Sequence, residues 1–188
     1  VSKDRKKQIL ASAYEIAGNK GLENLHARTI ASDLGINHAA VHYYFKTRCD
    51  LLTALTEYAG FRLQGDIERV SANRPTPTQR LEAHIALYEA YARPASRFFR
   101  VMASLFVAST NEPQIKEALA KVTQTQADLL KGDLDAALAD GGLNAQSPYA
   151  NPDVLIGYLM GLCYRSQMMQ GMDPTAMIDQ LFASLFRK

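Results

Sequence analysis

The stretch "ARTIASDLGINHAAVHYYF", residues 27–45, constrains the chain more tightly than any other. It sets two short apolar-periodic segments either side of a single glycine. Ile30, Ala31 and Leu34 share one side of the first segment, and Gly35 is suited to end a helix there because it enters left-handed conformations at little cost. Asn37 then offers a side-chain oxygen to the free N–H groups of the next helix. Helix, tight glycine turn and short capped helix together are a helix-turn-helix pattern. Val41 and Phe45 are expected to face back onto the preceding helices. That leaves His38, Ala39, His42 and Tyr43 outward, small residues surrounded by hydrogen-bonding tips, as reading a DNA major groove requires.

The rest of the chain carries the same helical period. Ile9, Leu10, Ala13, Ile16 and Ala17 define a first helix that Gly18 and Gly21 are expected to end. Helices are expected over 27–34, 37–45, 48–70, 79–92, 94–109, 113–139, 152–170 and 174–187. Proline recurs at or near several starts, where its missing N–H costs nothing. "SANRPTPT", 71–78, reads as a linker, and 140–152 as the longest loop. No segment alternates with period two, so the fold class is all-α.

Composition narrows the function classes. The longest uncharged apolar run, Val154 to Tyr164, is far short of a membrane span, and no apolar stretch follows the charged N-terminal residues as in a signal peptide. Cys49 and Cys163 form no C-x-x-C pair, so disulfide scaffolds and cysteine zinc sites are disfavoured, and a cytoplasmic protein is the simplest reading. Residues 1–50 hold eight Lys/Arg against five Asp/Glu, with Lys3, Arg5, Lys6 and Lys7 clustered. Such a segment suits a polyanion, and it equally suits a solvated helix end.

At residue level, 6–55 resembles the DNA-binding domain of the TetR family of transcriptional regulators. The matching features are "QILASAYEIAGNKG", the "IASDLGI" turn, "YYFKTR" and the following "DLL". The resemblance implies an N-terminal helix-turn-helix domain, 1–50, followed by a larger helical ligand-binding and dimerisation domain, 51–188, the helix from about 48 to 70 linking the two. Carried over by position, it puts Arg28 and Thr29 near phosphates or the groove edge and His38, Ala39 and Ala40 against bases. His42 stands where the family has a tyrosine on the DNA backbone. Tyr43 and Tyr44 follow, one reaching the sugar-phosphate and the other partly packed. Arg48 is expected to contact a phosphate. Cys49 replaces a common acidic residue, and His26 a common Ser or Thr cap.

The implied function is a ligand-responsive regulator, a repressor released from a near-palindromic operator by a small molecule. Its implied partners are double-stranded operator DNA, a small-molecule effector and a second copy of the chain, with no membrane and no cofactor. Tyr88, Tyr91, Phe98, Met102, Phe106, Tyr158 and Met168 are candidates for the ligand cavity, with core or dimer packing as the competing role. "GYLMG", 157–161, puts two glycines on one helical face, which suits a dimer bundle or ordinary intrachain packing.

Other chemistries have weaker support. His38 and His42 have zinc-binding spacing, but no third ligand is evident nearby. Cys49, near a helix start, suits either an oxidant-sensing thiolate or an ordinary part-buried thiol. Arg93, Arg97 and Arg100 share one side of a helix, as a solvated face or an anion site. His84, on an apolar helix, reads as a hydrogen-bonded core or pocket residue rather than a metal ligand, and Cys163 reads as core. No nucleophile elbow, phosphate loop or HExxH helix is present, so an enzyme is not expected; the alternative is a helical small-molecule-binding protein or enzyme without DNA binding.

Overall fold

The computed structural model describes residues 2–187, with side chains from Asp4 onward, so the Lys3 side chain of the N-terminal basic cluster lies outside the described residues. Among them are nine α-helices: α1 Ser2–Lys20, α2 Ala27–Leu34, α3 His38–Tyr44, α4 Arg48–Ser71, α5 Pro77–Ala92, α6 Arg97–Ser109, α7 Pro113–Ala139, α8 Pro152–Met168 and α9 Pro174–Leu185. Single turns of 3₁₀-helix lie at Leu22–Asn24 and Pro148–Ala150. The only β-pairing among the described residues is an isolated bridge between Leu143 and Phe186.

The helix boundaries follow local chemistry. Gly35 closes α2 at φ 62° and ψ 36°, with its own N–H reaching Ser32 O and the Ile36 N–H reaching Ala31 O. This Schellman arrangement satisfies two carbonyls that the helix leaves free. Asn37 accepts from the Ala39 N–H at 2.9 Å and starts α3. α4 begins with a reciprocal pair: Thr47 N–H donates to Asp50 Oδ2 and Asp50 N–H to Thr47 Oγ1. Pro77, Pro152 and Pro174 open α5, α8 and α9 behind the side-chain caps Thr76, Asn151 and Asp173.

Two expectations need correction. Gly18 does not end α1. It lies inside the helix, where a Cβ would come within 2.9 Å of the Arg97 Cβ, so its role is close packing against α6. Arg93, Arg97 and Arg100 do not share one helix, because α5 ends at Ala92 and α6 begins at Arg97. Arg93 pairs with Glu89 on α5, and Arg97 with Glu15 on α1. The expected loop at 140–152 separates α7 from α8, and its 3₁₀ turn and the bridge give part of it regular hydrogen bonding.

By contacts, the chain forms two compact units. The first comprises residues 1–62 and 97–122, the second 63–96 and 123–188. The first unit thus holds the helix-turn-helix together with the start of α4, α6 and the start of α7. Its core is continuous: Ile9, Ala13, Leu25, Ile30, Leu55, Val101, Leu105 and Ile115 are fully buried. In the second unit α5 packs on α8 and α9, around Leu81, Ile85, Leu155, Leu159 and Leu181. There the chain end is tied to the α7–α8 connection by Asn144 N–H to Leu185 O and Arg187 N–H to Gly142 O.

One long-range polar contact fixes the approach to the helix-turn-helix. The Arg48 guanidinium donates to Leu25 O and Leu22 O, both at 2.6 Å. It thereby joins the start of α4 to the turn that leads into α2.

Two stability outcomes are expected. Asn37→Ala removes the α3 cap and costs about 1 kcal/mol in urea unfolding. Arg48→Ala leaves two carbonyls without their charged donor and costs roughly 1–3 kcal/mol. Arg48→Lys restores little of this, because one ammonium cannot reproduce the planar two-nitrogen fork.

Candidate nucleic-acid interface

α3 has two faces. Val41 and Phe45 point into the core of the first unit, at 1% and 4% exposure. His38, Ala39, His42 and Tyr43 are exposed, Tyr43 at 78%, while Ala40 and Tyr44 are half-buried. On the outer face the His38 and His42 rings meet edge-on at 6.2 Å, and the Tyr43 and Tyr44 rings at 5.1 Å. No group of three or more His, Cys, Asp or Glu side chains suited to a metal occurs among the described residues. The histidine pair is thus an exposed aromatic surface with ring nitrogens at its edge.

Beside this face lies a cleft of about 300 Å³ between the start of α2 and the α3–α4 connection. Its polar wall is formed by His26, Arg28, His42, Lys46, Thr47 and Arg48, and its floor by Leu25, Val41, Phe45 and Leu51. No carboxylate lines it among the described residues. α2 begins there without a side-chain cap: His26 holds the N-cap position in extended conformation and its ring makes no cap hydrogen bond. The first N–H groups of α2 therefore carry the positive end of the helix dipole into a basic cleft, an arrangement suited to an anion.

The candidate DNA contacts separate into groups on this map. Arg28, His42 and Arg48 share the cleft. Thr29 is half-buried on α2, and His38, Ala39 and Ala40 occupy the first turn of α3. Arg48, besides lining the cleft, donates to the Leu22 and Leu25 carbonyls and so acts as a clamp. Lys46 and Thr47, absent from the expected set, also line the cleft. Their position between the Tyr43–Tyr44 pair and Arg48 was the available signal. Lys6 lies over the Phe45 ring at 5.6 Å, which holds one charge of the N-terminal basic cluster against this part of the fold.

Cys49 lies at the rim of a second cleft in the same unit, about 510 Å³, lined by Leu22, Leu52, Val107, Ala108 and Glu112 among others. Desolvation raises its thiol pKa, the neighbouring Thr53 opposes the shift and Glu112 adds to it. The thiol contacts Gln114 Oε1 at 3.3 Å. A raised pKa leaves less thiolate, which favours the ordinary part-buried thiol over an oxidant sensor.

The seven candidate ligand residues are divided between the two compact units. Phe98, Met102 and Phe106 are on α6 in the first unit, where Met102 packs against the core and Phe106 is 64% exposed. In the second unit Tyr88 and Tyr91 are buried on α5, and the Tyr91 hydroxyl donates to Asp66 Oδ2 at 2.9 Å. The Tyr158 hydroxyl donates to Met177 O, and Met168 is exposed at the end of α8. Burial of Cys163 pushes its thiol pKa up to about 12. The same effect raises the Tyr88 phenol. His84, fully buried, contacts Asp133 Oδ2 through Nδ1 at 2.7 Å.

Residues 9–55 match the family model described as bacterial regulatory proteins, tetR family. No curated protein matches the chain. Several solved structures share its fold over essentially the whole length. A protein from Saccharomonospora viridis, described as a transcriptional regulator in complex with choline, is 17% identical over 100% of both chains, with a TM-score of 0.83. A TetR-family transcriptional regulator from Agrobacterium tumefaciens is 19% identical over 100% of both chains, at 0.79. A Rhodococcus protein described as a TetR-family regulator is 17% identical over 97% of this chain and 99% of its own, at 0.77. At these identities the likeness is one of fold. Residues 9–55 are thus a tetR-family domain, and the whole chain has the fold of TetR-family transcriptional regulators.

Proposed function

We propose that the chain is a cytoplasmic, ligand-responsive transcriptional repressor that binds a near-palindromic operator as a homodimer and leaves it when a small molecule binds. The observation that carries this reading is the carboxylate-free basic cleft beside the exposed face of α3. A phosphate seated there meets Arg28, Lys46 and the uncapped start of α2, while Ala39 permits close approach of the helix to base edges and His38 and His42 supply ring nitrogens. Tyr43, fully presented to solvent, has the reach for the sugar-phosphate backbone.

The dimer has its own support on α8. Gly157, Met160, Gly161, Tyr164 and Met168 recur at helical spacing, Met160, Tyr164 and Met168 being 51%, 58% and 65% exposed. A Cβ built at either glycine would meet nothing within 4 Å, so intrachain packing does not explain the pair. Small residues flanked by large apolar ones suit close contact with a second copy of the helix. Two copies would present their α3 helices about 34–36 Å apart, one turn of DNA.

Induction is then a shift between two dimer geometries, in which the effector favours the one whose α3 spacing does not fit the operator. By linkage, operator DNA weakens effector binding by the same factor. α4 supplies residues to both compact units and is the natural transmission element. The choline complex of a protein with this fold supports a small-molecule effector. No described helix is long and apolar enough to cross a membrane, which is compatible with the assigned location.

DNA upstream of the chain's own gene is the first test. Binding is expected to be sequence-selective and to fall steeply with salt, and a gel shift showing neither property overturns the reading. Arg28→Ala and Tyr43→Ala should each weaken operator binding about tenfold while leaving the thermal midpoint within a few degrees. On α8, Tyr164→Glu should shift the chain from dimer to monomer in sedimentation. An unchanged dimer would remove that face from the interface.

A further inference from the structure

His84 is a group in the second unit whose chemistry the fold leaves half used. The ring is fully buried on α5, its Nδ1 faces Asp133 Oδ2 at 2.7 Å, and its Nε2 has no hydrogen-bond partner among the described residues. A buried polar atom in this state costs about as much as a lost hydrogen bond, and such atoms in folded proteins call for a specific explanation. The carboxylate only accepts, so Nδ1 carries the proton. In the neutral ring Nε2 is then a fixed acceptor without a donor.

The setting is that of a recognition point. Tyr88 stacks on the imidazole with ring centroids 6.2 Å apart and planes 25° from parallel. α5 packs mainly on α8 and α9, and the His84–Asp133 pair links it to α7. One further polar atom on α7 is in the same condition. The amide oxygen of Gln126 is buried without a partner. Gln126 is two turns before Asp133 and on the same side of the helix, with Leu130 fully buried between them.

We propose that His84 Nε2 is the polar anchor of the effector site, accepting a hydrogen bond from a hydroxyl or N–H of an uncharged, largely apolar ligand that enters between α5 and α7. Asp133 is a positioning residue: it fixes the tautomer that makes Nε2 an acceptor. Gln126 offers a second acceptor for a longer ligand. This assignment rests on the reading of the chain as a ligand-responsive regulator, and it adds the ligand's chemical class. An anionic ligand is excluded from it, because a carboxylate would need a donor at Nε2.

The test uses the full chain with ¹⁵N-labelled histidine and three matched probes: 1-naphthol, its methyl ether and 1-naphthoate. In the free protein the His84 resonances, assigned by their loss in His84→Phe, should show a protonated Nδ1 and an unprotonated Nε2. Adding 1-naphthol should shift Nε2, with calorimetry giving about tenfold tighter binding than the ether, the worth of one neutral hydrogen bond. His84→Phe should bring 1-naphthol down to the affinity of the ether. In Asp133→Asn the proton should redistribute between the two nitrogens and the preference for 1-naphthol should shrink, which a merely structural role for Asp133 would not produce. A proton on Nε2 in the free protein, equal affinity for naphthol and ether, preference for naphthoate, or no binding of any probe each overturns the assignment. Operator binding by the wild-type chain, followed separately by gel shift, tests the regulator reading, so the two fail independently.

Discussion

The burial of Val41 and Phe45 is the constraint on which the surface of α3 depends. α3 is only seven residues long, too short to persist on its own in water. It holds its place because these two side chains enter the core formed with Ile9, Leu25, Ile30, Leu51 and Leu55. Removing a large side chain from such a core costs a few kcal/mol, more than an isolated helix of this length contributes. With one face fixed inside, the outward direction of His38, Ala39, His42 and Tyr43 follows from the 100° step of the helix.

Around that core, polar contacts set the angle at which each helix enters. The left-handed Gly35 turns the chain between α2 and α3, Asn37 and the Thr47–Asp50 pair start the next two helices, and the Arg48 clamp joins α4 to the turn before α2. The clamp gives Arg48 a position in which it lines the basic cleft and also holds its geometry. A side chain in that double role ties the electrostatics of the cleft to the attitude of α4. Displacement of α4 along its axis would pull on the same two carbonyls.

Much of this was legible locally. The helical period, Gly35 as a stop, Asn37 as a cap and the prolines at helix starts are short-range features, and each is present in the structure close to where the pattern indicates. Misreadings arose where a local signal met a distant partner. Gly18 looks like a stop from its neighbours, yet its small size serves contact with Arg97, far along the chain. The three arginines look like one helical stripe, but the chain breaks between Ala92 and Arg97 and sends Arg93 and Arg97 to different carboxylates. The aromatic and methionine candidates carry no spacing rule for a pocket, and the fold distributes them over two units.

By itself the sequence determined the all-helical class, the helix-turn-helix and the inner and outer faces of α3, because period, capping and turn chemistry act over a few residues. The tertiary structure alone decided that α6 and the start of α7 complete the first unit, that Arg48 binds carbonyls 23 and 26 residues away, and that His84 meets Asp133 across 49 residues. Those pairings depend on which helices share a core, and that choice is made by the summed burial of many side chains, which no single local motif encodes.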